Sequence, residues 1–419
     1  RYVAFCWNAG ANSNKTYAVK VVSDSGNKYR FDDFGTSAVT LELAEGSTYV
    51  FDQSDNSNSG HPLRFSTTSN GTHGGGSEYT TGVTTTGTPG SAGAKTTIAV
   101  AAGAPTLYYY CTQHSGMGGQ ANTNTTAGAS NFDGSIQAVV KANQAYGFSA
   151  VSYTGSSTNG ATVGHGLNAA PKIIILKARN DTQNWFVNYP VGTGDGYLML
   201  NSTNAGDGSN STVWNSTAPT SSVFSLGTSN GVNNNTLNYI AYCWSEVAGF
   251  SKFGSYTGNG SSTGPAITTG FKPKFLIIKA ASINGEDWVM MDTVRDTGNP
   301  VDQAFFANTS DSEITTNAYN VEFQDNGFQP KNTNPRFNQN GVTYIYWAIA
   351  DNLSGEGCDS LVDTPEQRAG QTDDGAGGNV VGNYCVWNSL SSNGGVTISN
   401  GNLDTVNTGT TYDNPRASI

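Results

Sequence analysis

The sequence predicts an all-β protein made of tandem β-sandwich modules, and three observations support this. Charged residues are only 12% of the 419 residues, while Gly numbers 52 and Tyr 20, a composition typical of turn-rich β-structure. Short apolar runs of aromatic and β-branched residues are separated by Gly, Asn and Thr clusters, and no long amphipathic helical pattern is present. A unit of about 100 residues also occurs twice, as expected of a repeat architecture.

The first element, residues 1–14, reads as the last strand of a module. "RYVAFCW" at the start matches "NYIAYCW" at 238–244 in its Tyr, Ala, Cys and Trp positions. We therefore expect 1–14 to end a preceding, truncated β-module, and the chain to be a piece of a longer polypeptide.

Residues 15–120 form the next predicted module. Segments such as "KTYAVKVVSD", "AVTLELAEGSTYVFDQS" and "KTTIAVAAG" alternate apolar and polar positions with period two, which predicts half-buried strands of a second type of sandwich. Residues 121–146 start polar and become mildly apolar, which indicates a linker returning to a sheet.

The repeated unit follows, at 147–248 and 249–351. Its two copies begin "GFSAVSYTG" and "GFSKFGSYTG", and both contain a short buried strand, "KIIILKA" and "KFLIIKA". Matching positions are Tyr153 and Tyr256, Pro171 and Pro273, and Trp185 and Trp288. Residues 352–419 carry few strand signals, so we expect an extended connection to a further, absent domain.

Scarce sulfur and imidazole groups concentrate in "LYYYCTQHSGMGG". The whole chain has five Cys, four His and four Met, yet Cys111, His114 and Met117 follow one Tyr-rich strand within seven residues. His61 begins another strand segment, "HPLRFS". One upstream His with a Cys, His and Met loop is the ligand set of a mononuclear blue copper centre.

This stretch resembles the cupredoxin family, with "GHPLRF" similar to its first histidine segment and "YYYCTQHSGMGG" to its ligand loop. The resemblance implies a cupredoxin-like Greek-key sandwich. It further implies a copper site with His61 and His114 as nitrogen ligands, Cys111 as thiolate and Met117 as axial ligand. The alternative is a packed, metal-free loop in which Cys111 is a small buried hydrophobe. His73, in the Gly-rich "GTHGGGSEYTTG" segment, has no place in the family pattern.

Other polar groups are better explained by structure. His165 is interpreted as a turn residue, because the second repeat has no His there. Carboxylates such as Asp292 and Asp296 would need to face each other across a cleft to act as a glycosidase pair, and surface or capping roles are more common. Similarly, the Asp and Asn residues of 52–60 lack the spacing of a calcium loop. Strand tryptophans, including Trp185, Trp244, Trp288 and Trp347, are predicted core residues.

The net charge of the chain limits the classes of partner that it can bind. The formal net charge is −11 with a pI near 4.7, so the chain lacks the clustered cations that phosphate backbones require. No apolar run approaches the 18 or so residues of a membrane span. We therefore expect no nucleic-acid partner and no membrane insertion.

The tandem units resemble a β-module of large tail and virion-surface proteins of marine bacteriophages, and "CDSLVDTP" and "GNYCVWNSL" resemble the segment that follows it. This resemblance implies a non-enzymatic structural or adhesion component at the virion surface, such as a tail fibre. Homotrimeric self-association, other virion proteins and a host receptor or glycan would be its partners. Two alternatives stay open: an extracellular copper-binding or electron-transfer protein of a bacterium, and a secreted carbohydrate-active enzyme.

Overall fold

The computed structural model describes residues 4–10, 14–125, 128–189, 196–208 and 210–351, together with five short strands beyond residue 351. It confirms the predicted all-β, multi-module fold. The chain divides into two compact units, one of 9–200 with 206–245 and one of 1–8, 201–205 and 246–419. No helix among the described residues has the length and apolar character needed to cross a membrane.

The first module, within the first unit, is a sandwich of two mixed sheets. Its strands are β2 (Lys15–Ser23), β3 (Asn27–Phe31), β4 (Leu41–Ala44), β5 (Thr48–Asp52), β6 (Leu63–Ser66), β7 (Val83–Thr86), β8 (Lys95–Ala99), β9 (Leu107–Cys111) and β10 (Gly119–Thr125). The short β1 (Ala4–Phe5), which precedes them in the chain, belongs to the other unit. Two 3₁₀ turns, Asn56–Asn58 and Gly71–Gly74, lie in its loops.

One sheet has the order β3-β2-β5-β8-β7 and the other β4-β10-β9-β6. The pairs β2/β5 and β4/β10 are parallel and the rest antiparallel, so neither sheet is a simple meander. The alternating strands turn aromatic side chains inward, and both sheets contribute to one core that includes Tyr17, Phe31, Phe51, Phe65 and Tyr109.

The predicted linker at 121–146 is instead built into two sheets. Its first residues complete β10, which pairs with β9 and β4. The rest holds β11 (Ala129–Asn131) and β12 (Ala138–Asn143), which extend the sheet of the first repeat. The polar composition suggested a linker, but β11 and β12 pair with each other and β12 pairs with β13, the next strand along the chain.

The first repeat is a seven-stranded sheet, β11-β12-β13-β19-β15-β16-β17, covered by the pair β14-β18. The strands are β13 (Phe148–Thr154), β14 (Ala161–Gly164), β15 (Ile173–Ala178), β16 (Phe186–Asn188), β17 (Leu198–Met199), β18 (Val223–Leu226) and β19 (Asn238–Trp244), with helical turns α1 (Ser211–Trp214) and α2 (Asn230–Asn233). The predicted buried strand "KIIILKA" is β15, whose neighbours are β19 and β16.

The second repeat has the same central order, β20-β28-β22-β23-β24-β25, with a three-stranded partner β21-β27-β26. Its strands are β20 (Ser251–Thr257), β21 (Ile267–Thr268), β22 (Phe275–Ala280), β23 (Trp288–Asp292), β24 (Gln303–Phe306), β25 (Ile314–Thr315), β26 (Val321–Gln324), β27 (Gly327–Pro330) and β28 (Thr343–Ile349), with a 3₁₀ turn Asn317–Tyr319. Tyr153 pairs with Tyr239 across β13 and β19, and Tyr256 pairs with Tyr344 across β20 and β28, so the repeats share strand register.

The segment beyond residue 351 contains β29 (Val362–Asp363), β30 (Val386–Trp387), β31 (Val396–Ser399), β32 (Asp404–Asn407) and β33 (Ala417–Ser418). The prediction of an extended connection at 352–419 otherwise lies outside the described residues. Near the start of the chain, β1 pairs with β29 and the Trp7 ring lies 5.5 Å from that of Trp347. The origin of 1–14 in a preceding module stays a prediction.

Candidate metal centre

Strand pairing brings the predicted ligands together at one end of the first module. Cys111 is the last residue of β9 and pairs with Leu63, at the start of β6. His61 lies two residues before Leu63, and the N–H of Thr112 donates to the carbonyl of Pro62 at 3.1 Å. The loop after β9 and the loop before β6 therefore meet at the same edge.

Three of the four predicted ligands converge. The Cys111 Sγ lies 3.9 Å from His61 Nδ1 and 3.8 Å from His114 Nδ1, and one ligand atom from each residue lies within 4.8 Å of the others. Cys111 is fully buried, His61 is half-buried and His114 is exposed. The imidazole rings are 4.5 Å apart between centroids.

These spacings fit a single metal ion. Zinc, for example, binds sulfur at about 2.3 Å and nitrogen at about 2.0 Å, and at roughly 120° two such ligands lie about 3.8 Å apart. The donor set decides which metal suits the site: one soft thiolate with two imidazoles suits copper, particularly beside a thioether. Among the described residues, His61, Cys111 and His114 are the one group of three or more His, Cys, Asp or Glu side chains whose ligand atoms lie close enough to hold a metal ion.

Met117 lies at the end of the ligand loop and is 1% exposed, within the core of the module. Its carbonyl accepts a hydrogen bond from the Tyr29 N–H at 3.0 Å. Gly118 follows, and a Cβ there would stand 1.7 Å from the carbonyl oxygen of Tyr109, so only glycine fits. The loop therefore returns tightly to the sheet, with the Met117 side chain in the core of the module.

The backbone of His61 is fixed by buried side chains. Its carbonyl accepts from the Tyr29 hydroxyl at 2.8 Å and from Gln53 Nε2 at 2.9 Å, and its N–H donates to the Asn58 carbonyl at 2.8 Å. Burial, and then the neighbouring Cys111 sulfur, raise the pKa of Tyr29, so its hydroxyl remains a donor. Outer hydrogen bonds of this kind orient metal ligands before the ion arrives.

Burial, and secondarily the charge of His114, lower the pKa of His61. The lower pKa favours the neutral imidazole, which is the form that coordinates a metal. The electrostatics of this position therefore suit a ligand.

His73 has a role that the sequence did not reveal. Its Nε2 lies 3.1 Å from the carbonyl oxygen of Cys111, although His73 is exposed and 38 residues away in sequence. The interaction depends on the path of the Gly-rich segment, which no local pattern encodes.

The remaining candidates are used structurally. His165 is buried, with Nδ1 accepting from the Leu167 N–H and Nε2 facing the Thr220 carbonyl, both at 3.2 Å. It follows β14, as a turn residue would, but it also ties two loops together. Asp292 accepts from the backbone and Nε of Arg295.

Asp296 accepts three backbone N–H groups, those of Gly298, Asp302 and Gln303. With its oxygens occupied in this way, Asp296 caps a turn, which leaves little support for a carboxylate pair with Asp292.

Among the strand tryptophans, Trp244, Trp288 and Trp347 are at most 5% exposed, whereas Trp185 is half-buried. The segment 52–60 uses Asp52 and Asp55 to accept backbone N–H groups two residues on.

Comparison with known proteins relates the two repeats to a defined family. The model of a domain of unknown function (DUF7483) matches residues 121–352, more than half of the chain, and leaves the candidate metal centre outside the matched span. No curated protein and no solved structure matches the chain. The chain therefore belongs to the DUF7483 family, through a span that contains both repeats.

Proposed function

We propose that the first module binds one copper ion, and that the protein is otherwise a non-enzymatic structural component of an extracellular assembly. The observation that carries the proposal is the convergence of Cys111 Sγ with the Nδ1 atoms of His61 and His114 at 3.8–3.9 Å. Met117, buried at the end of the same loop, is proposed as the axial thioether.

Copper would supply one-electron chemistry, cycling between Cu(II), which prefers imidazole, and Cu(I), which prefers sulfur. Neighbouring residues of the chain fix the positions of the donor atoms. Cys111 is fully buried, which excludes water from the thiolate, while Tyr29 and Gln53 fix the His61 backbone. Rigid donors limit rearrangement when the charge of the metal changes.

The experiment is a titration of the full chain with Cu(II), followed by absorption. We expect one equivalent to produce an intense thiolate-to-copper band near ~600 nm, abolished in Cys111→Ser. Cys243→Ser, at a buried cysteine of the first repeat, is the matched control and should keep the band. Absence of the band from the unaltered protein would end the copper proposal.

For the remainder of the chain we propose a structural or adhesive role at a virion surface, with homotrimeric assembly and contacts to other virion proteins and a host receptor or glycan. This rests on the resemblance of the repeats to virion-surface β-modules. It is supported by the fully buried Asn233 and Asn338, whose amides bond to backbone carbonyls of their own repeats and so serve the fold. Imaging of purified particles with an antibody to the repeats tests it, and a chain absent from the particle would contradict it.

A second candidate is an extracellular electron-transfer protein of a bacterium. The observation that favours it is the exposure of His114 beside a fully buried Cys111, which places one ligand at the surface where a redox partner could approach. Rapid reduction and reoxidation by a protein partner from the same source would support this function, and inertness toward such partners favours the structural role.

A further inference from the structure

The segment of residues 70–75, here called the clasp, lies across the ligand loop of residues 111–117. It contains the 3₁₀ turn Gly71–Gly74, which begins after Asn70. A Cβ at Gly71 would meet the Tyr110 ring at 2.5 Å, so the clasp packs flush against β9. The clasp includes the start of the Gly-rich segment "GTHGGGSEYTTG" and its His73, which has no place in the cupredoxin pattern.

Asn70 holds the far end of the ligand loop. Its Nδ2 donates to Ser115 Oγ and its Oδ1 accepts from the Gly116 N–H, both at 2.8 Å. The residue has φ +60°, in the left-handed region, which Asn tolerates better than most residues. With this backbone conformation, both the nitrogen and the oxygen of the Asn70 side-chain amide bond to the ligand loop.

His73 holds the near end. Its Nε2 is 3.1 Å from the carbonyl oxygen of Cys111, and because a carbonyl can only accept, Nε2 must carry the hydrogen. The hydrogen bonds of the clasp thus bracket His114, at the residue that supplies the thiolate on one side and at Ser115 and Gly116 on the other.

We propose that Asn70 and His73 are positioning residues that keep Cys111 and His114 preorganised for the metal, an inference that rests on the proposed copper site. His114 is exposed, so its imidazole position depends on the backbone around it rather than on core packing. Partners outside the coordination sphere commonly change metal affinity about 10- to 100-fold when removed.

The test measures Cu(I) affinity of the reduced full chain by competition with a chromophoric chelator. His73→Phe removes the donor, and Asn70→Gly removes both amide bonds while accepting the positive φ. Each should weaken binding about 10-fold and alter the thiolate-to-copper absorption of the Cu(II) form. His73→Gln, which restores an N–H donor, should recover most of the affinity, and Thr67→Ala, at a nearby exposed position, should stay within about twofold of the unaltered protein.

Near-ultraviolet circular dichroism of the metal-free variants checks that they are folded, and if one of them does not fold, the other is used alone. If the unaltered protein binds copper with the expected band while both folded variants match its affinity, the clasp inference is overturned and the copper proposal stands. If the unaltered protein shows no band, the copper proposal itself fails.

Discussion

The two repeats place a buried asparagine at the same point and use it in the same way. Asn233 and Asn338 are both fully buried, and each Oδ1 accepts a backbone N–H at 2.8 Å, from Ser156 and from Asn259 respectively. Each Nδ2 donates to nearby backbone carbonyls, those of Thr158 and Gly227 in the first repeat and of Ser261 and Asn332 in the second. In each repeat, this side-chain amide links the loop after the first strand (β13 or β20) to the loop before the last strand (β19 or β28).

A stacked tyrosine pair adjoins this asparagine in both copies, and the asparagine and the tyrosine pair together are here called the shared corner. The ring centroids of Tyr153 and Tyr239 are 5.1 Å apart, and those of Tyr256 and Tyr344 are 4.9 Å apart. The first tyrosine of each pair donates to a backbone carbonyl at 2.7 Å. This corner is therefore a packing arrangement that both repeats share.

The repeats differ at two positions that align in sequence. Lys177 is half-buried, whereas Lys279 is fully buried and donates to the carbonyls of Ala280 and Thr203 at 2.7 and 3.4 Å. His165 is matched by Thr269, whose Oγ1 accepts the N–H two residues on, at 3.4 Å, as His165 Nδ1 does.

These four side chains, Asn233, Asn338, Lys279 and His165, thus bond to backbone groups and serve the fold. In the first module, three donors instead face one another around a common point. The candidate chemistry is therefore concentrated in the first module, since the described residues of the repeats hold no comparable group of His, Cys, Asp or Glu side chains.

The largest expected effect is on the shared corner. Asn338→Ala should lower the free energy of unfolding by about 3–5 kcal/mol, because it leaves several buried backbone groups without partners. Asn233→Ala should cost a similar amount. Urea denaturation measures both, with exposed Asn340→Ala as the control, expected within about 0.5 kcal/mol of the unaltered protein. A small loss of unfolding free energy in either variant would contradict an equivalent role for Asn233 and Asn338.

The second prediction concerns Lys279. Burial lowers its pKa to about 8 despite the opposing charges of Glu286 and Asp287. Between that pKa and the ordinary lysine value of 10.5, the folded lysine has released a proton that the unfolded chain still holds. The free energy of unfolding should therefore rise with pH across that window, by about 3 kcal/mol.

Urea denaturation at a series of pH values across this window measures the rise. Lys279→Met should lack it, whereas Lys177→Met should retain it. An identical pH dependence in the Lys279→Met variant would show that this lysine is not the source.

The smallest effect concerns His165. Burial lowers the pKa of this imidazole, so below about pH 6.5 the unfolded chain takes up a proton that the folded chain resists. Stability conferred by the neutral imidazole is present above about pH 6.5 and is lost as the pH falls, with a slope of at most about 1.4 kcal/mol per pH unit. His165→Thr, which copies Thr269, should have a shallower decline between about pH 7 and 5 than the unaltered protein. Equal declines would contradict the assignment.

The fold and the ligand cluster could be predicted because their signals are local or repeated. The tyrosines and the short apolar strands recur at a fixed interval, and Cys111 and His114 share one loop. His61 could be added because "GHPLRF" is similar to the first histidine segment of the cupredoxin family. Each of these depends on sequence periodicity or spacing.

The remainder depends on interactions between distant segments. His73 reaches Cys111 only through the turn geometry of the Gly-rich clasp, and β10 pairs with β4, which lies far earlier in the chain. The motifs around Lys177 and Lys279 are nearly the same, yet the two residues differ in burial, and Lys279 bonds to the carbonyl of Thr203, which lies far from it in sequence. Sequence alone does not specify such neighbours.

X-ray absorption at the copper edge of the copper-loaded full chain tests the central claim most directly, since it identifies the atoms bound to the metal. We expect one short copper–sulfur distance and two imidazole nitrogens per ion, and Cys111→Ser should abolish the short copper–sulfur distance. A spectrum that shows only nitrogen and oxygen neighbours in the unaltered protein would contradict the account.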